Sequence, residues 1–216
     1  MSSSKLNSSR LFLIRHGETE WSLSGQYTGR TDLPLTAHGE AAARKVGERL
    51  ENVSFAHVLT SPLQRARQTC ALAALKPAPE IEPDLIEWDH GDYEGRMPAE
   101  IREEQPEWNL FRDGAPNGEM PAQISERVDR LITYLRTLDG NVALFSHGHL
   151  CRVLAARWIG ISVGQSERLL LSTASISILS YEHECSDQPA IELWNSEANE
   201  FSNPTQGRTT TKNKIL

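Results

Sequence analysis

Short apolar runs alternate with amphipathic repeats along this chain. Leu11–Arg15 (LFLIR) is an apolar run that stops at Gly17, as a buried strand does. After Thr36, a candidate N-cap, the residues Ala42, Val46, Leu50 and Val53 recur at helical spacing, predicting a helix to about Glu51. His57–Thr60 (HVLT) reads as a second strand. Ser61, Pro62 and Gln64 then supply an N-cap, a first-turn proline and a capping-box partner, predicting a helix that buries Leu63, Ala66, Cys70 and Ala73. Ile124, Val128, Leu131, Leu135 and Leu138 form the cleanest amphipathic stripe. A fully apolar strand at 142–145 (VALF) follows, and Leu150, Val153, Leu154 and Trp158 mark another helix. Ile176–Tyr181 and 191–194 are the last predicted strands. Strands that are apolar on both faces and alternate with helices predict an α/β three-layer sandwich: a mostly parallel sheet with helices on both faces. Ligands of such folds sit at the carboxyl ends of the strands.

The rest of the chain frames this core. Residues 1–9 and 197–216 are polar and lack a hydrophobic period, so they read as flexible tails around a domain at 10–195. No repeat or Gly/Ser linker divides that domain. With 22 basic and 29 acidic side chains the net charge is -7, which gives no footprint for nucleic acid or an anionic membrane surface. The longest apolar run, 70–75, is far shorter than the roughly 20 residues of a membrane span. The first ten residues carry no apolar segment of a secretory signal. Cys70, Cys151 and Cys185 are odd in number and far apart, arguing against a disulfide framework or thiolate zinc site. These features predict a cytoplasmic protein.

The candidate chemistry lies where the predicted strands end. The first runs into Arg15, His16 and Gly17; the second ends at Ser61 with Arg65 one turn later; the VALF strand runs into Ser146, His147, Gly148 and His149. Three strand ends thus bring two arginines and two histidines to one rim. A guanidinium presents several donors in a fixed fork suited to multi-oxygen anions, so two of them imply phosphate. Glycines after both histidines allow close backbone approach, and the amide of Gly148 or His149 would open a helix, where anions are favoured. His149 and Arg152 share a helix flank and would either meet a second substrate phosphate or hydroxyl, or face solvent. Cys151 reads as a small buried residue rather than a reactive thiol, the acidic run 100–107 as a solvated helix face, and the five tryptophans as packing.

The stretches LIRHGETEWSLSGQYTGRTDLPLT, TSPLQRARQT, DLIEWDHGDYEG and FSHGH resemble the histidine phosphatase (phosphoglycerate mutase-like) superfamily, in order and spacing, over about residues 11 to 152. The resemblance implies a phosphohistidine mechanism with no metal and no cofactor. It implies His16 as nucleophile, Arg15 and Arg65 as phosphate clamps, His147 as second histidine and Glu87 as proton donor. Thr28 and Gly29 match phosphate-contacting positions, whereas Ser22 stands where many members carry Asn. Tyr27, Ser61, Arg152 and His183 are the candidate substrate-binding residues.

On this reading Arg15, Arg65 and a protonated His147 supply the positive charge, and Glu87 is buried beside Trp88 to stay protonated. The wording of these motifs is most similar to the sedoheptulose-1,7-bisphosphatase branch. The implied function is therefore a phosphomonoesterase for a sugar phosphate or bisphosphate. A cofactor-dependent phosphoglycerate mutase is the alternative; it calls for extra basic residues and a covering segment that the short, glutamate-rich stretch between Gly95 and Arg112 does not offer. A metallohydrolase built on His147 and His149, lacking a third ligand, and a non-catalytic phospho-ligand binding module complete the possibilities.

Overall fold

The computed structural model describes residues 9–182 and 188–197. Six strands form one mixed sheet in the order β3-β2-β4-β1-β5-β6, with β1 Leu11–Arg15, β2 His57–Thr60, β3 Glu80–Ile81, β4 Val142–Ser146, β5 Ile176–Tyr181 and β6 Pro189–Ser196. β3, β2, β4 and β1 run parallel, whereas β5 pairs antiparallel with both β1 and β6. Two-residue β3, whose side chains are exposed, has no apolar run to announce it.

Among the described residues seven α-helices accompany the sheet: α1 Glu20–Ser24, α2 Ala37–Leu50, α3 Gln64–Ala73, α4 Pro98–Glu104, α5 Leu110–Asp113, α6 Pro121–Leu135 and α7 Gly148–Trp158. Strand alternation sorts the core onto two faces. Leu11, Leu13, Leu59, Val142 and Leu144 pack with Ile124, Val128 and Leu131 of α6 and Val153 and Leu154 of α7. Phe12, Ile14, Val58, Ala143 and Phe145 pack with Val46 and Leu50 of α2 and Cys70 and Ala73 of α3. Each large apolar side chain removed from water contributes about 1.5–3 kcal/mol, so both stripes are needed to hold the three layers.

Two local expectations change. Helix α3 starts at Gln64, not at Pro62: Leu63 is its N-cap, without a side-chain capping bond. Ser61 Oγ instead accepts from Leu63 N–H at 3.3 Å, so the SPLQ segment is a turn leading into the helix. Ser9, assigned to the tail, is buried and donates through Oγ to the Leu138 carbonyl at 3.3 Å. At the other end Arg49 of α2 holds Ser196, donating to its carbonyl at 3.0 Å and to its Oγ at 2.7 Å. The remaining tail residues up to Ser8 and from 198 onward, together with His183, lie outside the described residues. Among the described residues no helix is long and apolar enough to cross a membrane.

Candidate active site

A cleft of about 310 Å³ opens at the carboxyl ends of β1 and β4, lined by Arg15, His16, Ser22, Tyr27, Thr28, Glu87, Gly148, His149 and Arg152 among others. A larger groove of about 830 Å³ lies at the other end of the sheet, between the segment preceding β2 and the C-terminal turns of α2 and α3, and carries no histidine.

His16 stands one residue beyond β1. Its Nδ1 lies 2.7 Å from the carbonyl of Gly17, and since a carbonyl only accepts, Nδ1 carries the ring proton. Nε2 therefore keeps a lone pair. Burial, then the neighbouring Arg65 and Arg15, push the His16 pKa well below its usual range, so the ring is neutral. Gly17 is required by close approach: a Cβ there would sit 2.5 Å from the Gly39 carbonyl oxygen. Its N–H donates to Thr69 Oγ1 at 3.0 Å, tying this turn to α3.

Arg15 is anchored through Nη1 on the Leu171 carbonyl, while its buried Nε has no protein hydrogen-bond partner. Burial lowers its pKa, with Glu87 acting in the opposite sense. A half-buried cation whose buried Nε lacks a partner at a cleft wall is arranged for an anion. Gly148 lets Arg15 lie there, because a Cβ at 148 would come within 3.3 Å of the guanidinium carbon.

Arg65, fully buried, does not line the cleft. Its guanidinium donates to the carbonyls of Thr31 and Gly29 at 2.9 Å and, through Nε, to His147 Nδ1 at 3.1 Å. It thus holds the TGRT loop and His147 together and contributes charge from behind. Gly29 serves here through its carbonyl rather than at the cleft surface, packed so tightly that a Cβ would clash with the Trp88 carbonyl and with Glu94.

The proposed cationic role of His147 needs correction. Because Nδ1 accepts from Arg65, the ring proton sits on Nε2 and is donated to Ser61 Oγ at 2.7 Å. Burial, then Arg65, depress its pKa well below the usual range, so His147 is neutral. The positive charge comes from the arginines. Ser61, expected at the pocket border, is wholly buried behind this ring and orients it.

Glu87 is 3% exposed beside Trp88, the burial expected of a carboxyl that must hold a proton among cations. Its Oε1 accepts from the amides of Trp88 and Leu150 at 2.8 Å, and Oε2 accepts from the amide of His149 at 3.1 Å. The amide of His149 that opens α7, expected to face substrate, is thereby taken by the enzyme's own carboxyl. The donors supplied by helix α7 position the acid instead.

Ser22 and Thr28 both line the cleft. Ser22 completes a capping box with Thr19 at the start of α1, which uses its hydroxyl locally. Arg152 donates to the carbonyls of Ser166 and Glu167 and stacks on Phe111, 4.4 Å from the ring centroid. Tyr27, His90 and His149 form a ring cluster with neighbouring centroids 4.9 to 5.7 Å apart. His149 Nδ1 lies 3.9 Å from Glu87 Oε2. Cys151 is buried, its thiol pushed up to about 12 by burial. The two histidines of the SHGH segment diverge, and among the described residues no three His, Cys, Asp or Glu side chains converge on a metal position.

Two contributors escaped the sequence reading. Arg127, 8% exposed, forks onto Glu119 at 2.7 and 2.8 Å and donates to the carbonyls of Asp84 and Ile86 at 2.8 Å. Glu119 also receives Trp88 Nε1 on its carbonyl at 2.7 Å, so this pair clamps the segment presenting Glu87. Its signal was an arginine set four residues before Leu131 beside the apolar stripe of α6. Arg127→Ala is expected to cost about 3–5 kcal/mol of stability by stranding Glu119, read as a shift in the urea midpoint. His90, buried with neither ring nitrogen paired, was the other, hidden within the EWDHGDYEG motif.

This geometry has known relatives. Residues 11–197 match the family model of the histidine phosphatase superfamily (branch 1). The chain is 35% identical to sedoheptulose 1,7-bisphosphatase of Saccharomyces cerevisiae, covering 85% of this chain and 92% of that protein. It is 38% identical to an acid phosphatase of Mycobacterium tuberculosis over 81% of this chain and 87% of that one. The solved structure of the Rv3214 product of Mycobacterium tuberculosis superposes with a TM-score of 0.82 at 34% identity, covering 88% of this chain and 98% of that one. A neutral histidine, one nitrogen bare, beside a half-buried arginine at the carboxyl ends of parallel strands is thus found in a chain that belongs to the histidine phosphatase superfamily.

Proposed function

We propose that this protein is a phosphomonoesterase acting on a phosphorylated sugar through a covalent phosphohistidine at His16. The observation that carries this reading is the pairing of a bare Nε2 on His16 with the orphaned, buried Nε of Arg15 at the same cleft. A relative named as a sugar bisphosphatase supports the substrate class, and one named as an acid phosphatase supports phosphoester hydrolysis.

In the first step the Nε2 lone pair attacks phosphorus as the bond to the ester oxygen breaks, and the Gly17 carbonyl stabilises the positive ring that forms by accepting the Nδ1 proton's hydrogen bond. Arg15, backed by Arg65, offsets charge on the equatorial oxygens. Glu87 protonates the departing alkoxide. Of its two oxygens, Oε2 carries the single amide contact and faces His149, so it is the edge for a transferable proton. In the second step that carboxylate takes a proton from water as the water oxygen attacks phosphorus, releasing phosphate and restoring neutral His16.

The test is leaving-group dependence. Glu87→Gln is expected to lower kcat/KM for alkyl and sugar phosphates about 10²–10⁴-fold, and for p-nitrophenyl phosphate far less, because nitrophenolate leaves without a proton. Equal losses would remove Glu87 from the acid role. Efficient interconversion of 2- and 3-phosphoglycerate with little phosphate release would replace the hydrolase reading with a mutase.

A further inference from the structure

The Arg15 guanidinium hangs on one peptide plane, and that plane is gripped from β6, none of whose described residues lines the cleft. Arg15 Nη1 donates to the Leu171 carbonyl. The N–H at the other end of the same peptide, that of Ser172, donates to Asn195 Oδ1 at 2.6 Å. A trans peptide is planar, with its C=O and N–H directed opposite ways, so the guanidinium and the Asn195 amide hold the two ends of one rigid unit. Residues 169–172 lie outside any helix or strand, so no repeating backbone ladder fixes this peptide in their place.

A break in the pairing of β5 with β6 lets β6 reach that far. Ile176 pairs with Ser196 and Ile178 with Leu193, which leaves Trp194 and Asn195 together opposite Ser177. The extra residue is a bulge, and bulges re-aim side chains out of a strand's regular alternation. Asn195 has φ 56°, a left-handed backbone that asparagine adopts more readily than most residues, and its N–H donates to the buried Ser177 Oγ at 2.9 Å. Both bulge residues consequently meet the segment that anchors Arg15. Trp194 Nε1 donates to the Leu170 carbonyl at 2.7 Å, and Asn195 Nδ2 donates to Ser172 Oγ at 3.4 Å.

We infer that Asn195 is a positioning residue for phosphoryl transfer: by holding the Ser172 amide it fixes the Leu171 carbonyl and so aims the Arg15 guanidinium at the anion. The inference rests on the phosphatase reading of the cleft and adds what keeps its cation in place. The unpartnered Nε of Arg15 serves an anion only while the fork keeps its direction, since a hydrogen bond weakens steeply off line. Asn195 also strengthens the anchor, because donation by the Ser172 N–H polarises the peptide and makes the Leu171 carbonyl a better acceptor. Other contacts of this segment do not replace it. The Ala174 N–H donates to the carbonyls of Arg15 and His16 at 3.1 Å, which ties main chain to main chain and leaves the guanidinium to the Leu171–Ser172 peptide.

The experiment removes the side chain without straining the backbone, since glycine accepts the left-handed conformation at 195. Asn195→Gly is expected to weaken binding of inorganic phosphate, read by isothermal titration, about tenfold. It should lower kcat/KM by about the same factor for sedoheptulose 1,7-bisphosphate and for p-nitrophenyl phosphate, because Arg15 meets phosphoryl oxygens that both esters share. That even loss contrasts with the leaving-group dependence expected of Glu87→Gln. Asn195→Asp, which keeps an acceptor for the Ser172 amide, should retain most of both properties. In an Arg15→Ala background Asn195→Gly should cause no further loss, as when one residue acts through another. Unchanged phosphate binding in the glycine variant, equal losses in the glycine and aspartate variants, or additive losses with Arg15→Ala overturns the inference. Asn195→Ala, compared in the same way, takes the place of the glycine variant should that one fail to fold. Phosphate titration needs no turnover, so the absence of a phosphoenzyme at His16 would defeat the proposed mechanism and leave the coupling of Asn195 to Arg15 to be decided by binding.

Discussion

His16→Ala is expected to reduce turnover by on the order of 10⁴-fold or more, because no other side chain at the cleft is free to take over nucleophilic attack. His147 is buried, with one nitrogen accepting from Arg65 and the other donating to Ser61. His149 is packed among Tyr27, His90 and Phe111. Water left to attack directly would keep the help of Arg15 and Glu87 but lose the two-step route. Acid quenching tests the covalent step: a phosphoramidate on His16 should be lost in acid and survive in alkali, the reverse of a phosphoserine. Label retained by the alanine variant, or turnover near that of the native enzyme, would place the chemistry on another group. The variant should fold, since among the described residues the ring it removes hydrogen-bonds only to its neighbour's carbonyl.

A steep loss of stability in mild acid is the second large effect. His16, His147 and His149 are held well below the usual histidine range, and His90 is brought down to about 3, in each case chiefly by burial. Nearby cations add to it: Arg65 and Arg15 at His16, Arg65 at His147, Arg65 and Arg30 at His90, and Arg152 at His149. In the unfolded chain all four titrate near pH 6.5. Above that pH neither state binds these protons and the stabilising contribution is whole. Below it the unfolded chain takes up protons that the native state refuses, so stability falls with pH until the folded values are reached. Four such sites give a limiting slope of about 5 kcal/mol per pH unit, set against a typical total of about 5–15 kcal/mol. Denaturation at pH 7.5, 6.5 and 5.5 should show that decline. His90→Phe should flatten it by about one proton, whereas constant stability from pH 7.5 to 5.5 would mean that the rings are charged in the native protein. The same depression keeps the His16 lone pair available in mild acid, so stability rather than protonation of the nucleophile is expected to limit activity there.

Much of the architecture was open to reading along the chain because it is local. Buried strands show as apolar runs, and α2, α6 and α7 show as stripes at helical spacing, so both sheet faces and the helices covering them were legible. Strand β3 was not: two exposed residues pair with β2 only because the chain after α3 passes its edge. The start of α3 was misplaced because a Ser-Pro sequence suits a turn as well as a cap, and Ser61 Oγ serves the turn and the buried His147.

For the site, residue identities were carried by motifs at three strand ends and by the loop holding Glu87, and those motifs were enough to point to a phosphate and to His16. Linear order is silent on which nitrogen bears a proton, which cation is screened and which amide is already occupied, because these depend on partners far apart in sequence. Arg65 meets His147 across 82 positions, and Glu87 meets the α7 amides across 62 and 63. Burial then acts on the charges so assembled. It makes His147 neutral where isolated chemistry allowed a cation, and it leaves Arg15 and Arg152 as the cations lining the cleft. The composition and motifs of this chain therefore dictate its layers and its choice of reactive groups, while packing assigns each group its protonation, its partner and its part in the chemistry, since desolvation and hydrogen bonding exist only once distant segments are in contact.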